Sequence, residues 1–245
     1  MKFMIIFKKW SFEMANFEQK VDEFILLLKN FKKLDNVFNP WKDFDKKYDL
    51  ETNAPDIRCN NLRNYLLDRK NAKCILIAEA PGYQGCHFSG VPLTSERLIL
   101  TNAYGAFKKM NRSSCKQKLT NLSKTIQNQG FCEPTATIVW KLINELDFNF
   151  NDFVFWNAFA FHPYECDSNI LTNRRPTQKE IESNKIILEK LIGKDGVFPN
   201  IKIIPVGNVS ENCLNWLNFR HEEKVRHPSY GGANDFKKGV VEILK

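Results

Sequence analysis

A chain of 245 residues with 43% hydrophobic and 13% aromatic residues can bury a full core and reads as a soluble globular protein. Its 36 Lys and Arg against 28 Asp and Glu leave a formal charge of +8, an excess that attracts polyanions, nucleic acid before an anionic membrane surface. The seven cysteines (Cys59, Cys74, Cys86, Cys115, Cys132, Cys166, Cys213) are odd in number and form no C-x-x-C pair, which excludes a disulfide framework or zinc knuckle and points to reduced thiols in the cytoplasm, or the nucleus of a eukaryotic host.

At the N-terminus the apolar run Phe3 to Phe7 is too short for a signal-peptide core or a bilayer span. Met14 is an alternative start, and residues 1–16 are expected to form a loosely packed extension or an edge strand. Phe17, Val21, Phe24, Ile25 and Leu28 recur at helical spacing and predict an amphipathic helix opening a helical flank over 17–72. Four short apolar runs read as buried strands: Cys74 to Ala78, Phe153 to Phe159, Ile201 to Val206, and a short one around Val225. Ile181, Leu188, Leu191 and Ile192 line a helix entered through Pro176 and Thr177; Val209, Cys213, Leu214 and Leu217 line another after Gly207 and Asn208. Strands alternating with helices predict one α/β domain over 1–245, a three-layer α/β/α sandwich around a central, mainly parallel four-stranded sheet. Such sheets bind ligands outside the carboxyl ends of their strands, so the residues just after each run are the candidates for function.

The first run exits through Glu79-Ala80-Pro81-Gly82, then Tyr83, Gln84, Gly85 and Phe88-Ser89-Gly90. Pro fixes one backbone angle and Gly permits close approach, so this turn can lay its N–H groups beside a ligand under a carboxylate; alone, it also suits an ordinary strand-to-helix connection. The second run exits through Asn157 to Pro163, followed by Asn173-Arg174-Arg175-Pro176-Thr177 and Glu180, and the last through His227-Pro228-Ser229. Together, in this order, these elements resemble the uracil-DNA glycosylase superfamily over roughly Lys73 to Val240. The similarity is greatest to its family 4 branch, with the E-A-P-G turn, the Asn strand and the N-R-x-P-T-x-x-E segment. H-P-S followed by Tyr230-Gly231-Gly232-Ala233-Asn234 also resembles the single-strand-selective branch.

The resemblance implies a monofunctional glycosylase that flips uracil, and other deaminated bases, out of duplex or single-stranded DNA. Breaking the sugar–base bond develops positive charge on the sugar and negative charge on the leaving base. By similarity, Glu79 positions or deprotonates the attacking water and His227 donates a hydrogen bond to uracil O2. Ala80, Gly82 and Tyr83 line the substrate, Phe88 stacks on the base, and Asn157 reads O4 and N3–H. Family 4 holds an iron–sulfur cluster through four cysteines, but two of those positions are Phe161 and Asn184 here, so the expectation is no metal and no cofactor, with apolar packing in the cluster's place. Ala78 replaces the glycine before the carboxylate, and Gly85 stands where the family carries an acid, which leaves Tyr83 to exclude the thymine methyl.

From Arg97 to Cys132 the chain has no acidic residue but seven basic ones, Arg97, Lys108, Lys109, Arg112, Lys116, Lys118 and Lys124, a segment suited either to phosphates or to a solvated surface. Arg97, Lys108, Lys109 and Arg112 are taken as DNA contacts. After H-P-S, Ser229 is expected to grip a phosphate and Tyr230 to wedge the stack. His87 and His162 have no matched role and read as loop residues. The expected partner is uracil-containing DNA, bound by a monomer with no membrane contact. The alternative is a non-catalytic descendant that binds nucleic acid or a nucleotide through the same sheet.

Overall fold

A computed structural model describes residues 2–146, 148–166 and 169–244, with only the backbone for residues 2–12. The N-terminal helix spans Lys2–Asn30. Its Phe17, Val21, Phe24, Ile25 and Leu28 are all buried, as their spacing requires. Residues before Phe17 continue this helix instead of forming an edge strand; the side chains of the run Phe3 to Phe7 lie outside the described residues.

Five strands follow in chain order: β1 (Val37–Phe38), β2 (Cys74–Ala78), β3 (Phe153–Asn157), β4 (His162–Pro163) and β5 (Lys202–Pro205). The central sheet is three-stranded and parallel, in the order β3-β2-β5. The expected fourth strand at Val225 is an isolated parallel bridge to Val206. Val225 N–H to Pro205 O (3.0 Å) and Gly207 N–H to Val225 O (2.9 Å) tie it to the sheet, with Glu222 N–H to Ile203 O (2.8 Å) just before. Three charged residues precede it and Pro228, which has no N–H, follows shortly after, so the ladder cannot lengthen. The remaining pair, β1 with β4, is antiparallel and separate; with two residues in each strand, it carries no alternation that a sequence could show.

Phe155 and Trp156 of β3 point to opposite faces of the sheet. Trp140, from the helix Pro134–Glu145, meets Phe155 edge-on with ring centroids 5.2 Å apart. Phe24 of the first helix lies 5.2 Å from Trp156. Helices therefore cover both faces, which explains why all three parallel strands are near-continuous apolar runs.

The periodic stretch after Pro176 forms two helices, Gln178–Ser183 and Lys185–Ile192, broken at Asn184. Thr177 and Glu180 close a reciprocal capping box on the first. Asn184 is fully buried: its amide donates to Ala158 O (2.6 Å) and accepts from Ala160 N–H (3.1 Å). It clips the chain just as it leaves β3. Phe161 packs against Phe31 at 4.8 Å and Phe159 at 5.7 Å. The two positions matching cluster ligands thus hold a packed ring, as expected, and a polar clip, which was not; neither supplies a thiolate, and the iron–sulfur group does not fit this chain. Among the described residues, no helix is long and apolar enough to cross a membrane.

Candidate active site

Three of the four central candidates reach one edge of the sheet. Asn157 is the last residue of β3 and pairs in register with Ala78, so Glu79 leaves the neighbouring strand beside it. The ladder continues past the formal strand ends, with Ala158 N–H to Ala78 O at 2.8 Å and Phe159 N–H to Glu79 O at 3.0 Å. On the other flank, β5 exits through Gly207, where an added Cβ would meet the His227 Cβ at 3.5 Å. The order along the sheet edge is Asn157, Glu79, Gly207, His227, about 14 Å across three strand spacings.

Asn157 is 1% exposed, and neither its Oδ1 nor its Nδ2 has a hydrogen-bond partner. A buried amide ordinarily finds partners on both atoms, and leaving each unmade costs about 1–3 kcal/mol. This is a donor and an acceptor side by side, held ready for something the chain itself does not provide.

His227 is partly buried, and burial holds its imidazole below the usual range, so it is neutral near pH 7. Its Nδ1 receives the Ser229 N–H at 3.2 Å and lies 2.7 Å from the Ser229 hydroxyl. A backbone N–H can only donate, so Nδ1 is the acceptor and the proton resides on Nε2. Ser229 therefore sets the tautomer of His227, and its hydroxyl is already engaged where phosphate contact was expected. The loop closes tightly, with Gly232 N–H to Ser229 O at 3.0 Å. A Cβ on Gly232 would stand 2.2 Å from His227 O, so only glycine fits there. At its tip, Tyr230 is 98% exposed with φ +50°, an aromatic ring held out into solvent as a wedge requires.

Glu79 is half-buried, and desolvation raises its carboxyl above the usual range, opposed by Arg175, whose Nε lies 3.8 Å from Oε1. Asn173 anchors the turn: its Oδ1 accepts the Tyr83 N–H at 2.9 Å, and its amide lies against Gly82. Arg174 grips Glu180 with two bonds of 2.6 and 2.8 Å. The N-R-R-P-T-x-x-E segment is thus the brace of the E-A-P-G turn, a role the sequence reading missed, although T-x-x-E announces the capping box.

Phe88 departs from the expectation of an open stacking platform. Its ring is fully buried and lies flat on Phe131, with centroids 4.4 Å apart and planes within 2°. It belongs to a second cluster with Tyr48, Leu119 and Phe131. The Tyr83 ring meets Phe131 edge-on at 6.2 Å. A nucleobase can reach the face of Phe88 only by displacing neighbours, Phe131 first. Ser113 Oγ donates to Phe88 O at 2.6 Å and Asn61 to Ser89 O at 2.9 Å, so the Phe88 backbone itself is firmly held.

His87 and His162 are buried, not loop residues: their Nδ1 atoms lie 2.9 Å apart, and Phe38 stacks on His87 at 3.9 Å. Burial depresses both, His162 to about 3, so the pair is a neutral internal tie between the turn and β4. Arg97 and Arg112 also turn inward, donating to Gly130 O and to Gln127 O at 3.3 and 2.8 Å. Lys109 pairs with Asp68 at 2.9 Å, whereas Lys108 is exposed. The basic run is in part the scaffold of its own excursion.

No family model matches this sequence, and no curated protein matches it either. Among solved structures, the fold is similar to that of wild-type SMUG2 of Pedobacter heparinus, at 14% identity and a TM-score of 0.57, over 92% of this chain and 96% of that one. The chain therefore shares, distantly, the fold of that protein.

Proposed function

We propose that the protein is a DNA glycosylase that hydrolyses the bond between deoxyribose and uracil. The observation that carries this reading is Asn157, a buried amide with both polar atoms unpartnered, beside a carboxyl and in one row with a neutral imidazole at the exits of the same sheet. Uracil presents an N–H donor next to a carbonyl acceptor, which an amide complements through its Oδ1 and Nδ2.

In the reaction, the base is extruded at a cost of a few kcal/mol, least from single strands or mismatches. Asn157 Oδ1 accepts N3–H while Nδ2 donates to O4. The C1′–N1 bond breaks, and the electron pair leaves on uracil, whose O2 receives the His227 Nε2–H. A water oxygen bonds to C1′ and its proton passes to the Glu79 carboxylate. Tyr230 occupies the vacated stack, and Phe88 stacks on the base once Phe131 yields.

Incubation with oligonucleotides carrying U·G, U·A, single-stranded U or T·G, followed by alkaline cleavage of abasic sites, tests the reading. Uracil-dependent breaks are expected, and their absence in every context would overturn it. His227→Ala should lower turnover by about 100- to 1000-fold, the cost of one preorganised donor. Ser229→Ala should have a smaller effect, confined to kcat, because the backbone N–H still holds Nδ1. Arg175→Ala removes a charge that lowers the Glu79 carboxyl, so the acidic limb of the pH–rate profile should move to higher pH. That displacement should shrink in about 1 M salt, where the screening length falls to ~3 Å.

A further inference from the structure

Three residues beyond the E-A-P-G turn, Gly85 has a negative φ of −115° that does not itself call for glycine. Space does: an added Cβ would stand 2.2 Å from Glu133 Oε2 and 2.7 Å from its Cδ. The carboxyl of a distant segment is seated directly on the turn backbone. Glu133 is the N-cap residue of the helix Pro134–Glu145, yet its side chain accepts no bond from that helix, although capping is the ordinary use of a carboxylate there. Its Oε2 is buried without a hydrogen-bond partner.

Among the described residues no cation pairs with Glu133, and burial alone pushes its carboxyl up to about 7. The titratable group beside it is the Cys86 thiol, which burial and then this carboxyl push well up. A thiol raised in this way supplies no charge at neutral pH that would hold Glu133 ionised. The same loop carries Phe131, which lies flat on Phe88 and meets the edge of Tyr83. Among the described residues nothing bonds to Oε2 of this acid, which sits on Gly85, three residues before Phe88.

We propose that Glu133 is a base-recognition residue whose carboxyl O–H donates a hydrogen bond to a carbonyl oxygen of the nucleobase seated against the Glu79-to-Phe88 turn. This rests on the glycosylase reading. An ionised Glu133 would lose that bond and repel the departing base anion, so activity should decline as pH rises through neutrality.

The test compares uracil release from a single-stranded oligonucleotide by the wild-type chain, Glu133→Gln and Glu133→Ala across neutral pH. The wild-type rate should fall on the alkaline side. Glu133→Gln keeps a permanent donor and should not fall. Glu133→Ala should lose about tenfold or more in kcat/KM, the loss of one hydrogen bond to substrate. Its melting temperature should be unchanged or higher, because an unpartnered buried carboxyl has gone. A wild type that releases no uracil contradicts the glycosylase reading and this inference with it. An active wild type whose two variants share its rate and pH profile overturns the inference alone.

Discussion

Replacing Asn157 with leucine is expected to raise the melting temperature while nearly abolishing uracil release. Leucine has the same number of side-chain heavy atoms as asparagine, branched at the same carbon, and carries no polar atoms, so the substitution removes two desolvated groups that the free protein leaves unmade. Each is worth about 1–3 kcal/mol, and in a chain of this size about 1 kcal/mol moves the melting temperature by ~2–4 °C. The same change removes both hydrogen bonds to the pyrimidine edge, about 100-fold in kcat/KM at roughly 1.4 kcal/mol per tenfold. Opposite signs in stability and activity are the mark of a residue kept for its ligand. A purely structural Asn157 would show both falling together, and thermal melting beside a glycosylase assay separates the cases.

Glu79→Gln is expected to reduce turnover by about 1000-fold, within the range for removal of a positioned general base, while leaving the fold intact. Its ion contact, with Arg175, is 3.8 Å long, and the Arg175 side chain is 85% exposed, so the change in stability should stay within about 0.5 kcal/mol. Burial raises the wild-type carboxyl. Activity that needs the carboxylate should therefore fall as pH drops through that raised value, and this acidic limb should vanish in the glutamine variant. Single-turnover rates across pH, with circular dichroism of both proteins, provide the check. A variant that keeps the wild-type rate and acidic limb would remove Glu79 from the chemistry.

How much of this could be read beforehand follows from the range over which each signal acts. The three parallel strands were legible because burial on both faces makes each a continuous apolar run, and their exits could then be placed at one edge by topology alone. The fourth strand was over-read: Val225 does lie beside β5, but charge before it and Pro228 after it leave one bridge. Residues whose roles come from local chemistry, such as the capping pair Thr177 and Glu180, carry their signal in sequence. Roles that depend on meeting a distant partner do not. Nothing near His87 announces His162, nothing near Phe88 announces Phe131, and Glu133 reaches Gly85 across 48 positions only through the fold. The basic run misled for the same reason, since the inward turn of Arg97 and Arg112 to backbone carbonyls is decided by how the excursion closes on itself.

The most direct measurement is a crystal structure of the Glu79→Gln protein with an oligonucleotide containing deoxyuridine. The account predicts the uracil turned out of the strand, N3–H and O4 on the two amide atoms of Asn157, O2 facing His227 Nε2, and Phe131 moved off the ring of Phe88. A uracil left in the strand, or bound with the Asn157 amide still unpartnered, would contradict it.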